Sequence, residues 1–245
     1  MNGIVLSLFL YLISPIAVAN EPLILKSNND YQISIPHDWV EIPTNVLQPS
    51  VEIISKAIGH SQTYEYGYQS ANAKTWFQFP YVLVKIERNG RVHEGQLKQY
   101  EQFHSDFNEA VQEFKNNTGD LVTDMTQGET LYDESLRVLW SSTNMDVKGI
   151  GKVTILFAAK LTEYGFIQFF GYALEQDFIQ YEPMFRQMVH SITPPEQDVY
   201  KPQIIDNAPT ISGINLGETA ISFIVGGLIG GLLGLPKWLK RKQNS

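Results

Sequence analysis

Apolar and polar side chains alternate along several short segments of this chain, which is the period of a strand with one buried face. The first such segment, residues 31–35, is followed by a turn at Pro36, after which Trp39 folds back as a large apolar plug. The same pattern predicts further strands at 64–68, 76–86, 135–143, 152–160 and 165–173. Residues 153–159 are apolar at every position except Thr154, so we expect this strand to be central and covered on both faces.

Two segments show the spacing of an amphipathic helix. The first ends near Gly119 and places these apolar side chains on one face: Leu97, Tyr100, Phe103, Phe107, Ala110, Val111 and Phe114. The second runs from Ile179 to Ile192, with Pro183 in its first turn. Residues 45–58 fit either a short helix or a strand. This order of elements predicts an α+β domain, an antiparallel sheet with helices packed on it.

An uncharged run of eighteen residues, from Thr219 to Pro236, follows this domain. A run of this length and composition is typical of a transmembrane helix. Basic residues follow the run directly and predict that its C-terminal end is cytoplasmic: Lys237, Lys240, Arg241 and Lys242.

The N-terminal residues are consistent with the same topology. Residues 4–16 are almost wholly apolar, and Ala17 and Ala19 form the small-x-small pattern that signal peptidase accepts. No Lys or Arg precedes the apolar core, so an uncleaved anchor or a buried strand stays open as an alternative.

The predicted organisation has five parts. They are a signal peptide at 1–19, an extracytoplasmic domain at 20–194, a flexible linker at 195–217, a transmembrane helix at 218–236 and a basic cytoplasmic tail at 237–245. We therefore expect a single-pass protein of the inner cell membrane, with the domain in the periplasm or otherwise outside the cytoplasm.

Charge and cysteine content narrow the function. All 26 acidic residues precede Thr219, together with 14 of the 18 basic ones, so the residues up to Glu218 carry a net charge of −12. Nucleic acid and anionic lipid need clustered positive charge, which makes this region a poor surface for either. The chain has no cysteine, so we expect its stability to come from an ordinary packed core rather than from disulfides.

Two segments at the ends of the domain resemble a known family. The segment at 31–43, with Pro36 and Trp39, resembles the opening "strand, Pro, two residues, Trp" of the PsbP-like proteins, and the segment at 184–194 resembles their closing "helix, Ser, apolar residue, x, Pro". The family comprises extrinsic photosystem subunits and bacterial relatives. The resemblance implies an α/β/α sandwich, shared with the Mog-type fold, that is used for binding and assembly rather than for a common reaction. The predicted membrane helix departs from the photosystem subunits and favours a bacterial envelope protein.

Glycines recur at intervals of four within the uncharged run. Gly226, Gly230 and Gly234 form one stripe, and Gly227 and Gly231 repeat the spacing beside it. Small residues at this spacing let a second backbone approach closely, so we expect the helix to pack against a membrane protein partner or a second copy of the chain. Two alternatives stay open: glycine is common in membrane helices, and the span could belong to a sorting signal that is removed after export.

The histidines suggest a metal site as an alternative. Glu101 and His104 are three residues apart and share a helix face, and His93 aligns with them if the helix begins early. The segment at 91–95 otherwise resembles a turn, and no tight HxxxH spacing supports a site. The sequence therefore predicts neither a metal nor another cofactor.

A set of aromatic residues could line a groove for a peptide or glycan, or could form part of the core. Its members are Tyr64, Tyr66, Tyr68, Trp76, Phe77, Phe79 and Tyr81. Because strands alternate their faces, at least half of this set is expected in the core.

The sequence as a whole predicts a membrane-anchored extracytoplasmic binding or assembly factor, with no catalytic residues identified. The alternative is an envelope hydrolase or metal-dependent enzyme with a dispersed active site. A pocket that gathers two or more of His60, His93, His104 and nearby carboxylates would favour that alternative.

Overall fold

The fold is built on a large antiparallel sheet. The computed structural model describes residues 23–58, 61–88, 90–99, 111–112, 114–203 and 227–234. Ten strands are present in these ranges: β1 (Leu23–Ser27), β2 (Gln32–Pro36), β3 (Trp39–Glu41), β4 (Tyr66–Ser70), β5 (Tyr81–Glu87), β6 (Val122–Gln127), β7 (Leu131–Asp133), β8 (Val138–Val147), β9 (Gly151–Thr162) and β10 (Gly165–Leu174). Strands β1 and β2 form a separate hairpin, and the other eight share one sheet in the order β3-β4-β5-β10-β9-β8-β6, with β7 also paired to β8.

Helices cover both faces of this sheet. They are α1 (Thr44–Ile58), α2 (Glu94–Gln99), α3 (helical at 111–112 and 114–118), α4 (Glu175–Ser191) and α5 (helical at 227–232). Short 3-10 turns occur at Gly119–Leu121 and Glu196–Asp198. The structure is thus an α+β domain with an antiparallel sheet flanked by helices, as the sequence predicted.

The side chains of β10 show how the two faces divide. Phe170 and Tyr172 belong to one buried cluster, and Phe169 and Ala173 belong to the other. Because successive side chains of a strand point to opposite faces, this strand contributes to both cores at once. Apart from its last residue, Leu174, every position of β10 is buried, which places the strand at the centre of the molecule.

One face of the sheet is covered by α4 and the β1–β2 hairpin. Phe185 of α4 is fully buried there and packs directly over Gly171 of β10, where a Cβ atom would lie only 2.7 Å from the Phe185 ring. The hairpin is held to the end of α4 by paired backbone hydrogen bonds between Gln32 and Thr193. Glycine at position 171 therefore sets how closely α4 approaches the sheet.

The opposite face is covered by α1, α2, α3 and α5. Leu47, Val51 and Ile54 of α1 share one buried cluster with Leu97 of α2 and Phe114 of α3. The α5 residues Leu228, Ile229 and Leu232, and Leu233 directly after them, belong to the same cluster. The larger of the two cores thus includes part of the glycine-rich C-terminal run.

Several predicted elements differ from the structure in type or extent. Residues 45–58 form a helix even though Pro49 lies inside it. The predicted strand at 135–143 begins at Val138 and runs to Val147, and residues 71–80 form a loop rather than the start of a strand. Strands β1, β3, β6 and β7 were not predicted.

The last helix of the domain begins four residues earlier than predicted. Because α4 starts at Glu175, Pro183 lies in its interior rather than in its first turn, and that part of the prediction is wrong. A proline leaves the carbonyl four residues earlier without its helical donor. That carbonyl belongs to Ile179, which like Pro183 is on the exposed side of α4, where water can hydrate it.

The residues predicted as the start of the linker contact the domain. Thr162 and Val199 form a β-bridge, and the guanidinium of Arg91 lies 4.3 Å from the centre of the Tyr200 ring. Arg91 also donates a hydrogen bond of 2.7 Å to the carbonyl of Lys201. The ordered domain therefore continues past residue 195, and residues 204–217 of the predicted linker lie outside the described ranges.

We expect Phe185→Ala to lower the free energy of unfolding by about 3–5 kcal/mol, because it leaves a cavity between α4 and β10. Ile179→Ala is the matched control: this side chain is on the same helix and is 82% exposed, so its removal should change stability by about 0.5 kcal/mol at most. Urea unfolding followed by circular dichroism measures both. Equal losses in the two variants would contradict the packing described for α4.

Candidate functional site

The glycine-rich C-terminal run is described over eight residues, here called the glycine segment (residues 227–234). It is helical at 227–232 and closes with a turn, in which the Leu233 amide donates a 2.9 Å hydrogen bond to the carbonyl of Gly230. All of its residues up to Leu233 are buried, and Gly234 is partly buried. Within the described ranges, no helix combines the length and apolar character that a membrane crossing requires.

Four of the five glycines predicted as a packing stripe are in this segment. Gly227, Gly230, Gly231 and Gly234 contact side chains or backbone of the domain, whereas Gly226 lies outside the described residues. The predicted cytoplasmic anchor (Lys237, Lys240, Arg241, Lys242) and the predicted cleavage site (Ala17, Ala19) also lie outside them. Their roles stay predictions.

The glycine segment lies in a groove formed by side chains from four adjacent strands. We call it the tyrosine groove, and its lining residues are Tyr81 and Leu83 of β5, Phe170 and Tyr172 of β10, Ile155 of β9 and Met145 of β8. Strand register explains their proximity: Tyr172 is directly opposite Tyr81 on one side and Ile155 on the other. Two cross-strand rows of apolar side chains thus face the segment.

The glycines are where the groove comes closest to the segment. A Cβ atom at Gly230 would overlap the Tyr172 hydroxyl, and one at Gly231 would overlap the Met145 methyl group. At Gly234 a Cβ atom would lie 2.8 Å from the Phe79 ring, whereas at Gly227 the nearest atom, on Phe170, is 3.4 Å away. Positions 230 and 234 therefore require glycine in this arrangement, whereas position 231 is close only to the movable end of the Met145 side chain and position 227 is not restricted.

Tyrosine side chains converge on the turn of the segment at Gly230. The Tyr81 hydroxyl donates a 2.6 Å hydrogen bond to the Gly230 carbonyl, and the rings of Tyr81 and Tyr172 stack with centroids 4.8 Å apart. Tyr64 lies nearby, with its ring edge-on to Phe170 at 5.8 Å. Burial raises the pKa of Tyr64, Tyr81 and Tyr172. All three are therefore neutral phenols at physiological pH, so the groove binds through shape and a backbone hydrogen bond.

A cleft of about 1080 Å³ opens at the C-terminal end of the segment. Leu233 and Gly234 form part of its wall, together with Trp76 and Phe79 of the 71–80 loop and Pro49 of α1. Of the described residues that line it, only Lys74 is charged. The cleft therefore extends from the end of the glycine segment toward solvent with a largely uncharged wall of apolar and neutral polar side chains.

The aromatic set of the sequence divides between the groove and the two cores. Tyr64, Tyr81 and Phe79 contact the glycine segment or the residues that hold it, while Tyr68 is buried on the opposite face with Tyr31. Nothing in the sequence connects Tyr172 with this site, because it occurs within a strand that is apolar at every position except Gln168. Its stacking partner Tyr81 was in the aromatic set. The two tyrosines could not be connected without knowing that β5 and β10 pair.

The residues of the predicted metal alternative are not brought together in the described part of the chain. His93 is present at the start of α2, where its amide donates a 2.9 Å hydrogen bond to the side-chain oxygen of Gln96. His60, Glu101 and His104 lie outside the residues whose environment is described. Among the described residues, no three His, Asp or Glu side chains gather as a metal site.

Similarity to known proteins is found among solved structures. No family model matches this sequence, and the curated proteins give no match either. The chain is similar to the solution structure of cyanobacterial PsbP (CyanoP) from Synechocystis sp. PCC 6803, with a TM-score of 0.40 and 12% identity over 75% of this chain and 99% of that chain. At this TM-score the match carries no argument about the family or function of this chain.

We expect Gly230→Ala to destabilise the protein by about 1–3 kcal/mol, because the new methyl group overpacks against Tyr172. Gly227→Ala is a matched control in the same helix, where a Cβ atom makes only ordinary contacts, so the better helix propensity of alanine should leave stability unchanged or raise it by about 0.5–1 kcal/mol. Urea unfolding of the two variants measures the difference. If Gly230→Ala were tolerated as well as Gly227→Ala, the segment would not lie in the groove as described.

Tyr81→Phe should lower the free energy of unfolding by about 0.5–1.5 kcal/mol, because the buried Gly230 carbonyl loses its side-chain donor and keeps only the Leu233 amide. Tyr164→Phe provides the control, since Tyr164 is 51% exposed and its substitution should change stability by about 0.5 kcal/mol at most. The same unfolding measurement applies. An unchanged Tyr81→Phe protein would show that this hydrogen bond contributes nothing.

Proposed function

We propose that this protein is a membrane-anchored extracytoplasmic binding or assembly factor, which contacts a membrane protein partner through its glycine-striped C-terminal segment. In this proposal the domain stands outside the cytoplasm, the run at 218–236 crosses the inner membrane and the basic tail is cytoplasmic. The PsbP-like resemblance of the domain ends is consistent with a role in binding and assembly rather than in catalysis.

The observation that carries the proposal is the packing of the glycine segment. Its glycines at 230, 231 and 234 are the points where neighbouring atoms approach most closely. A helix face with this property is suited to close contact with another surface, and in a bilayer such a face packs against a second helix. The segment therefore has the surface that a partner-binding membrane helix requires.

The charge distribution supports different roles for the domain and for the C-terminal run. The residues up to Glu218 carry a net charge of −12, whereas the last nine residues are basic. An acidic domain is repelled by anionic lipid and attracted to basic protein surfaces. The proposal therefore assigns membrane attachment to the C-terminal run and recognition of a basic surface on the partner to the domain.

The proposal is tested by purifying the intact protein from gently solubilised membranes. We expect Gly230→Leu to lose a partner that the wild-type protein retains, because leucine adds bulk to the stripe that makes the closest contact. Ile229→Leu is the matched control, since it changes a neighbouring residue off the stripe at nearly constant volume.

Two outcomes would contradict the proposal. If Gly230→Leu and Ile229→Leu recovered the same proteins as the wild type, the C-terminal run would be no more than a tether. If alkaline extraction released the wild-type protein from the membrane fraction, the run would not be an anchor at all.

A further inference from the structure

The same glycine segment suits two different environments. In the structure it is buried in the tyrosine groove, with Leu228, Ile229, Leu232 and Leu233 each no more than 1% exposed. In the proposed function the same residues lie in the hydrocarbon of a bilayer. A helix that is apolar on all sides is typical of both situations.

The two environments exclude each other. A bilayer core of about 30 Å requires about 20 helical residues, so residues 227–234 would lie within any span formed by the run at 219–236. The groove, in turn, surrounds Gly230 with Tyr172, Leu83 and the Tyr81 hydroxyl. The segment must therefore leave the groove before it can enter the membrane.

The contacts of the groove are suited to a membrane segment held outside lipid. The lining meets the glycines with the Tyr172 hydroxyl, the Met145 methyl group and the Phe79 ring. Tyr81 donates a hydrogen bond to the Gly230 carbonyl, an acceptor that every helical sequence has. The close approaches at Gly230 and Gly234 restrict the occupant to a helix with glycine at these two positions. Burial here removes from water the apolar side chains that would otherwise cause aggregation.

We propose that the tyrosine groove is an intramolecular binding site for the glycine segment, which it holds outside the bilayer and releases to lipid. The occupant is the segment of the same chain, and the competitor is the hydrocarbon of the membrane. This inference rests on the proposed function, because it requires the C-terminal run to be the membrane anchor.

The absence of native cysteine allows a direct test by disulfide locking of the full chain. A Cβ atom at position 227 would lie 3.8 Å from the Cγ2 methyl carbon of Ile155, so the Cβ atoms of a cysteine pair at 155 and 227 would come within about one bond length of the roughly 3.5–4.5 Å that a disulfide spans. The double variant Gly227→Cys with Ile155→Cys should form an intramolecular disulfide on oxidation. Gly227→Cys with Ile179→Cys is the control pair and should form none within one chain, because Ile179 is on α4 at the opposite face of the sheet.

The locked and reduced forms are then mixed with vesicles of phosphatidylethanolamine and phosphatidylglycerol and separated by flotation. We expect the reduced form to float with the vesicles and the oxidised form to lose this ability, and prior binding to vesicles should suppress disulfide formation. If both forms floated equally, exchange between groove and lipid would be excluded while the anchor remained. If neither floated, the proposed membrane anchor would itself be wrong.

A second comparison does not depend on the cysteine pair. Gly230→Ala weakens the fit to the groove and Gly227→Ala does not, so Gly230→Ala should float at a lower lipid concentration. Equal flotation of these two variants would overturn the inference. A disulfide that formed only between two chains would also overturn it, because the segment would then occupy the groove of a second copy.

Discussion

Both faces of β10 are packed at points where a glycine lies against an aromatic ring. On one face Gly171 of the strand receives Phe185 of α4, and on the other Tyr172 of the strand receives Gly230 of the glycine segment. In each pair the missing Cβ atom lets the ring and a backbone approach more closely than any other residue would allow. Because residues 171 and 172 are adjacent, one short stretch of backbone holds the layers on both sides of the sheet.

The sequence predicted best the strands that are apolar on both faces, because such strands must be covered by other elements. The predicted strands at 152–160 and 165–173 agree with β9 and β10 to within two residues. Strand β6 was missed because it pairs only with β8 at the end of the sheet, and because a β-bulge between Val122 and Asp124 places its buried residues, Val122 and Met125, three positions apart. Such an edge strand has no local pattern that separates it from a loop. Tyr200 was assigned to a linker because its partner, Arg91, is distant in sequence.

The sequence predicted that another surface approaches the glycines closely, but not which side chains form that surface. A glycine every fourth residue predicts close approach of another surface, and the structure has close approach at three of the positions. The approaching side chains, Tyr81 and Tyr172, are far from Gly230 in the sequence and reach it only through strand pairing. A lipid bilayer and a protein core also select the same apolar composition, so composition alone does not distinguish between them.

The covalent link between the domain and the glycine segment raises the concentration or affinity that a competing helix needs to occupy the groove. Twenty-three residues separate Gln203, the last described residue of the domain, from Gly227. A ligand that is tethered near its own binding site has an effective concentration on the order of millimolar there. A free helix would have to reach a comparable concentration, or bind far more tightly, to displace it. A membrane does not have to reach such a concentration, because the segment enters it as it would enter a bulk apolar solvent.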